Sequence, residues 1–138
     1  MLLIHSVVRW GVVIFGLVVL GRLLMGWLQR RDFTALDARL SRWFTTLFDI
    51  QILIGIVYLV WSGVADVNWS RYRLEHAFLM LVALGAVHLS MRWRKAGDLA
   101  RFRNTFVSFA AGLLIVLVGV ALLPGGWART FPPAFMLP

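Results

Sequence analysis

The chain has no cysteine among its 138 residues, which excludes disulfides, thiolate zinc sites and thiolate-ligated iron–sulfur clusters. Charge is scarce: 14% of residues are charged and only six are acidic, where a soluble domain carries about 25%. Proline is missing from the first 123 residues and confined to the end, at Pro124, Pro132, Pro133 and Pro138, so nothing in the body of the chain must break a helix. Also absent is the interleaving of polar and apolar residues that a water-soluble core requires. What is present is 61% hydrophobic residues with mean hydropathy +0.84, gathered into four blocks. Each is near the ~20 residues that cross a hydrocarbon core of ~30 Å. Inside lipid a backbone must satisfy its own hydrogen bonds, so such blocks are helices.

The expected fold is therefore all-α: an integral membrane four-helix bundle with helices over about 2–27, 42–62, 73–93 and 103–123, and a Pro-rich extracytoplasmic tail over 124–138. The net charge of +8 lies mostly in two loops. Arg22, Arg30, Arg31, Arg39 and Arg42 belong to loop 1–2, and Arg92, Arg94, Lys95, Arg101 and Arg103 to loop 3–4, against Arg9, Arg71, Arg73 and Arg129 on the other side. The positive-inside rule places the two basic loops in the cytoplasm and both termini outside. This pattern accounts for the charge as an orientation signal, and no nucleic-acid partner is expected. The start of the chain lacks the basic region and small-residue cleavage site of a signal peptide, and its apolar stretch is too long for one. Thr34 and Asp37 have the spacing of a capping box, and Phe33, Leu36, Leu40 and Trp43 follow at helical spacing, which predicts a short interfacial helix before helix 2. All seven tryptophans fall near span ends, as an aromatic belt does.

Polar side chains within spans are costly, and each is a functional candidate. By depth they form two groups. The outer group is His5, Ser6 and Arg9 on helix 1 with Glu75 and His76 on helix 3. His5 and His76 are expected at matching depth, roughly 5–6 Å below the outer helix ends. Arg9 lies one turn below His5, and Glu75 is placed to neutralise it. Two imidazoles can ligate a haem b axially, with Arg9 pairing a propionate and Gly16 giving a flat macrocycle room on the face of His5. The same imidazoles could each hold a chlorin magnesium, and Met80, one turn from His76, leaves a bare copper or iron site open. The competing reading is helix glue, with interhelical hydrogen bonds of about 0.6–2 kcal/mol each and an Arg9–Glu75 lock. The inner group is Asp49, Gln51 and His88, read as a proton relay, a quinone site or one buried hydrogen bond. Gln51, Gly55 and Tyr58 share a face of helix 2. His88 points about 120° away from His76, so no second bis-histidine haem is expected. The other glycines of helix 1, and Ala110, Ala111, Gly112 and Gly119 on helix 4, read as close-packing positions. Helix 4, with no charge between Asn104 and Pro124, is expected to brace the bundle or face lipid.

The run His5-Ser6-Val7-Val8-Arg9-Trp10, then Asp49-Ile50-Gln51 with Leu53 and Gly55, then Leu74-Glu75-His76 with Met80 and a following basic segment, resembles a group of small bacterial four-helix membrane proteins sometimes labelled cytochrome b-like. The resemblance covers the chain to about residue 123. It implies His5 and His76 as haem ligands and a multi-pass location in the bacterial inner membrane. The expectation is a small b-type cytochrome-like protein, an electron-transfer subunit of a larger membrane complex, partnered by the lipid bilayer, other membrane subunits and possible quinone. The alternative is a cofactor-free accessory subunit of a respiratory or photosynthetic complex. A transporter is disfavoured, since no repeat and no broken helix pair is seen.

Overall fold

The computed structural model describes residues 2–65, 67 and 69–128. Four α-helices form the chain: α1 (Leu2–Leu28), α2 (Ala35–Ala65), α3 (Arg71–His88) and α4 (Asp98–Ala121). A 3-10 segment, Leu89–Trp93, continues α3 and a short one, Gly126–Ala128, follows α4. All four helices, α3 counted with its 3-10 extension, are long and apolar enough to cross a membrane. The chain is a multi-pass, all-α membrane protein.

Each helix packs against its sequence neighbours, and α4 closes the ring onto α1. Helices α1 and α3 are thus diagonal, as are α2 and α4. Phe44, Phe48, Phe102 and Phe109 are fully buried between them with Val12, Val19, Leu23 and Val87. Outward-facing Ile14, Leu17, Val18, Leu53, Phe78, Leu81, Leu114 and Val118 are exposed, which suits a surface covered by lipid rather than water. Helix α4 has the largest buried share of the four spans, so of its two expected roles it takes bracing.

The small residues set the close contacts. A Cβ on Gly26 would lie 2.3 Å from the Phe102 ring, and one on Gly112 would lie 2.5 Å from Val87. Gly16 belongs to this class. Its Cβ would meet Leu113 at 2.7 Å and Phe44 at 2.8 Å, so it seats α1 on α4 and α2 and does not offer the expected face for a macrocycle. The reason is that spacing along one helix fixes relative azimuth, not which neighbour a face meets.

The interfacial stretch leads into helix 2 without interruption, as one helix from Ala35 to Ala65. The capping box sets where it starts. Thr34 donates through its backbone N–H and its hydroxyl to Asp37 Oδ2 at 2.9 and 2.7 Å, and Asp37 N–H returns to Thr34 Oγ1 at 3.4 Å. Asp37 is fully buried and also accepts from Arg22 Nε at 2.7 Å and from Arg31 at 2.7 and 2.8 Å. These hydrogen bonds raise the Arg31 guanidinium above its ordinary pKa. One carboxylate thereby ties the end of α1, the loop and the start of α2. Helix α4 also starts earlier than its hydropathy suggests, at Asp98.

Beyond α4 the chain folds back. Trp127 Nε1 donates to Leu117 O at 3.2 Å, and its ring lies 5.3 Å from that of Trp10. The start of the tail thus lies over the end of the bundle where α1 begins; residues 129–138 of the expected tail are outside the described ones.

Candidate functional site at the His5–His76 end

The diagonal arrangement leaves space between α1 and α3 at the end where α1 begins. A cavity of about 400 Å³ opens there, lined by His5, Ser6 and Arg9 of α1, Gln51, Gly55 and Tyr58 of α2, and Tyr72, Arg73, His76 and Met80 of α3. Phe48, Val12 and Val116 lie at its apolar walls. The volume falls in the range of small-molecule and cofactor pockets.

His5 and His76 thus meet across one cavity. His5 lies three residues after Leu2 in α1 and His76 five after Arg71 in α3, roughly 4.5 and 7.5 Å from those helix starts. Helix α2 runs past this level: a Cβ on Gly55 would lie 3.1 Å from His5 Cε1, and Gly55 is ten residues before the end of α2 at Ala65, roughly 15 Å along the axis.

His76 Nδ1 is 3.1 Å from Gly119 O. A carbonyl oxygen only accepts, so Nδ1 carries the proton and the Nε2 lone pair remains available. Ligand histidines are held in this way, with one ring nitrogen donating to a backbone carbonyl. His5 is held differently. Gln51 Nε2 lies 3.2 and 3.3 Å from its two ring nitrogens and donates to its backbone oxygen at 3.1 Å.

Gln51 is therefore misplaced by the depth argument that grouped it with Asp49 and His88. Residues two apart lie about 200° apart around a helix: Asp49 points to His88, whose Nε2 is 2.7 Å from Asp49 Oδ1, while Gln51 points into the cavity. The polar face Gln51–Gly55–Tyr58 is real but belongs to the histidine site. The Asp49–His88 pair is half-exposed between α2 and α3, with side-chain exposures of 45% and 37%, and not the fully enclosed bond considered above.

The Arg9–Glu75 pair does not form. Glu75 is paired with Arg71 at 2.6 Å, four residues earlier on the same exposed face. Arg9 is instead buried, its guanidinium 5.0 Å from the Trp127 ring and 6.0 Å from the Trp10 ring. Its Nε and Nη2 have no hydrogen-bond partner among the described residues, and neither does Gln51 Oε1. Donors and acceptors buried in this state are costly unless something else meets them. Arg73, which the sequence placed at the start of helix 3 with no role in the site, also belongs to the cavity wall. Its guanidinium sits over the Tyr58 ring at 5.3 Å and donates to Ser62 Oγ.

A group that brings its own metal and an acidic edge would fit this donor set better than a bare ion. Among the described residues no cluster of three His, Cys, Asp or Glu side chains could hold a metal alone, whereas two imidazoles, an orphaned cation and apolar walls suit a macrocycle with an acidic edge. Comparisons with protein-family models, curated proteins and solved structures give no match to this chain.

Proposed function

We propose that the cavity would hold one haem b between α1 and α3, with His76 Nε2 and His5 as the residues that hold its iron, and that the protein is a small cytochrome-like electron-transfer subunit of a membrane complex. The observation that carries this reading is the pairing of His76, pre-set by Gly119 O, with His5 on the opposite wall of one cavity. Bound there, the haem would supply reversible one-electron chemistry. Arg9 offers its unpaired Nε and Nη2 to a propionate. Gln51 Nε2 lies against both ring nitrogens of His5 and donates to its backbone oxygen, so ligation by His5 would require its imidazole to turn away from that amide. Val12, Phe48 and Val116 give the site apolar walls. In the bacterial inner membrane that the resemblance implies, the basic loops would orient this end outward, where a quinol or a neighbouring cofactor supplies the electron.

A second reading is favoured by one contact: the His5–Gln51 hydrogen bonds already join α1 to α2. On that reading the protein is an accessory subunit whose polar groups are helix glue.

The test is a dithionite-reduced minus oxidised visible spectrum of the purified protein, followed by pyridine haemochrome. The haem reading expects a sharp alpha band, about one haem b per chain, and loss of the low-spin bands in both His5→Ala and His76→Ala. A flat spectrum from protein kept in its native complex selects the accessory reading. Unchanged bands in either variant overturn the ligand assignment.

A further inference from the structure

The opposite end of the bundle carries a second pocket, of about 200 Å³, between α2, the 3-10 segment after α3, and α4. Ser41, Arg42, Asp49, Ser90, Arg94 and Arg101 line it. The end of α3 shapes it: after His88 the helix tightens to 3-10 over Leu89–Trp93, and Ser90 and Arg94 border the pocket on this stretch.

Three guanidinium groups face one carboxylate here, and that carboxylate is engaged by His88 at 2.7 Å. Arg42 and Arg94 have no ion-pair or side-chain hydrogen-bond partner among the described residues. Arg101 is aimed by its stacking on Phe33, with its guanidinium carbon 3.9 Å from the ring centroid. The Ser41 hydroxyl is buried and has no partner. Unpaired guanidinium donors beside hydroxyl donors are the chemistry that recognises a phosphate oxyanion.

The apolar surroundings identify the source of that phosphate. Thr46 lines the pocket, and one and two turns further along the same stripe of α2 lie Ile50 and Leu53, exposed by 45% and 62%. A headgroup held by the arginines would lay its acyl chains along this stripe, at the boundary where basic pockets between spanning helices meet anionic lipid. We propose that this pocket binds the phosphate of an anionic phospholipid headgroup.

The test uses the full chain in detergent micelles. Native mass spectrometry would follow binding of phosphatidylglycerol, phosphatidylcholine of the same chain length, and inorganic phosphate. The expected result is retention of phosphatidylglycerol in preference to phosphatidylcholine, falling about 25-fold in the Arg42→Gln/Arg94→Gln double variant, at about fivefold per arginine. Arg92→Gln/Lys95→Gln removes two cations of the same end that do not line the pocket, and should change retention by less than about twofold. Ser41→Phe fills the pocket with all charges kept and should also lose the lipid, which covers the case of a double variant that does not fold. Equal retention of phosphatidylcholine, equal loss in the two charge variants, or unchanged retention in Ser41→Phe would overturn the proposal. Binding of inorganic phosphate without phosphatidylglycerol would make this a free-anion site and overturn the lipid assignment.

Discussion

The two ends of the bundle treat buried charge in opposite ways. At the basic end Asp37 is enclosed by five donated hydrogen bonds, from Arg22, Arg31 and Thr34, and the cluster is complete within the chain. At the histidine end Arg9 is equally hidden, yet Nε and Nη2 stay unpaired, as does Gln51 Oε1. A satisfied buried charge is a fastening. An unsatisfied one beside a cavity is a receptor, because its desolvation is offset only when a ligand arrives. Burial alone does not separate the two cases; the partner inventory does.

The comparison can be broken by substitution. The largest effect is expected from Asp37→Asn, which strands two arginines around a neutral amide and should cost about 3 kcal/mol. Reversible unfolding in mixed micelles would measure it, and a loss below about 1 kcal/mol would show that the cluster is not a fastening. The next effect compares glycines. Gly26→Ala drives a methyl into the Phe102 ring on the closed side and should cost about 2 kcal/mol. Gly55→Ala meets only the His5 ring on the cavity side, at 3.1 Å from Cε1 and 3.6 Å from Nδ1, and should cost less than about 1 kcal/mol, because a side chain beside open space can move. Equal losses would mean that the cavity end is packed as rigidly as the rest. The smallest effect is expected from Arg9→Met. Removing an unpaired buried cation should leave the stability of ligand-free protein within about 1 kcal/mol of the parent, while weakening retention of the haem proposed for this cavity. A loss as large as that of Asp37→Asn would move Arg9 into the fastening class.

The four helices were legible because lipid imposes a simple rule: long apolar blocks separated by charged loops. The Thr34–Asp37 box was also legible, since capping depends on local spacing. The site was only partly so. His5, Arg9 and His76 were recognised as costly residues of one end, and they do line one cavity. Gln51 was assigned to the wrong group because depth was counted without azimuth, and one step of two residues reverses a helical face. Glu75 was matched to Arg9 by depth, but Arg71 is four residues away on the same helix and reaches it first. Arg73 carried no signal, as its role depends on Tyr58 and Ser62 arriving from α2. Long-range partners of this kind follow from how ring order and helix length set the register between neighbours, and neither is written in one helix.

The phenylalanine cluster sits beside the polar groups of α2 and does not separate them. Phe44 packs on Phe48 and Phe109, with ring centroids 6.0 and 4.7 Å away, while Asp49 and Gln51 follow two residues apart, only about 3 Å along the same helix. Asp49 lines the pocket at the basic end and Gln51 the cavity at the histidine end. A single stretch of α2 is thus a shared wall: a turn or slide of the helix there would disturb the His5 contact and the His88 pair together.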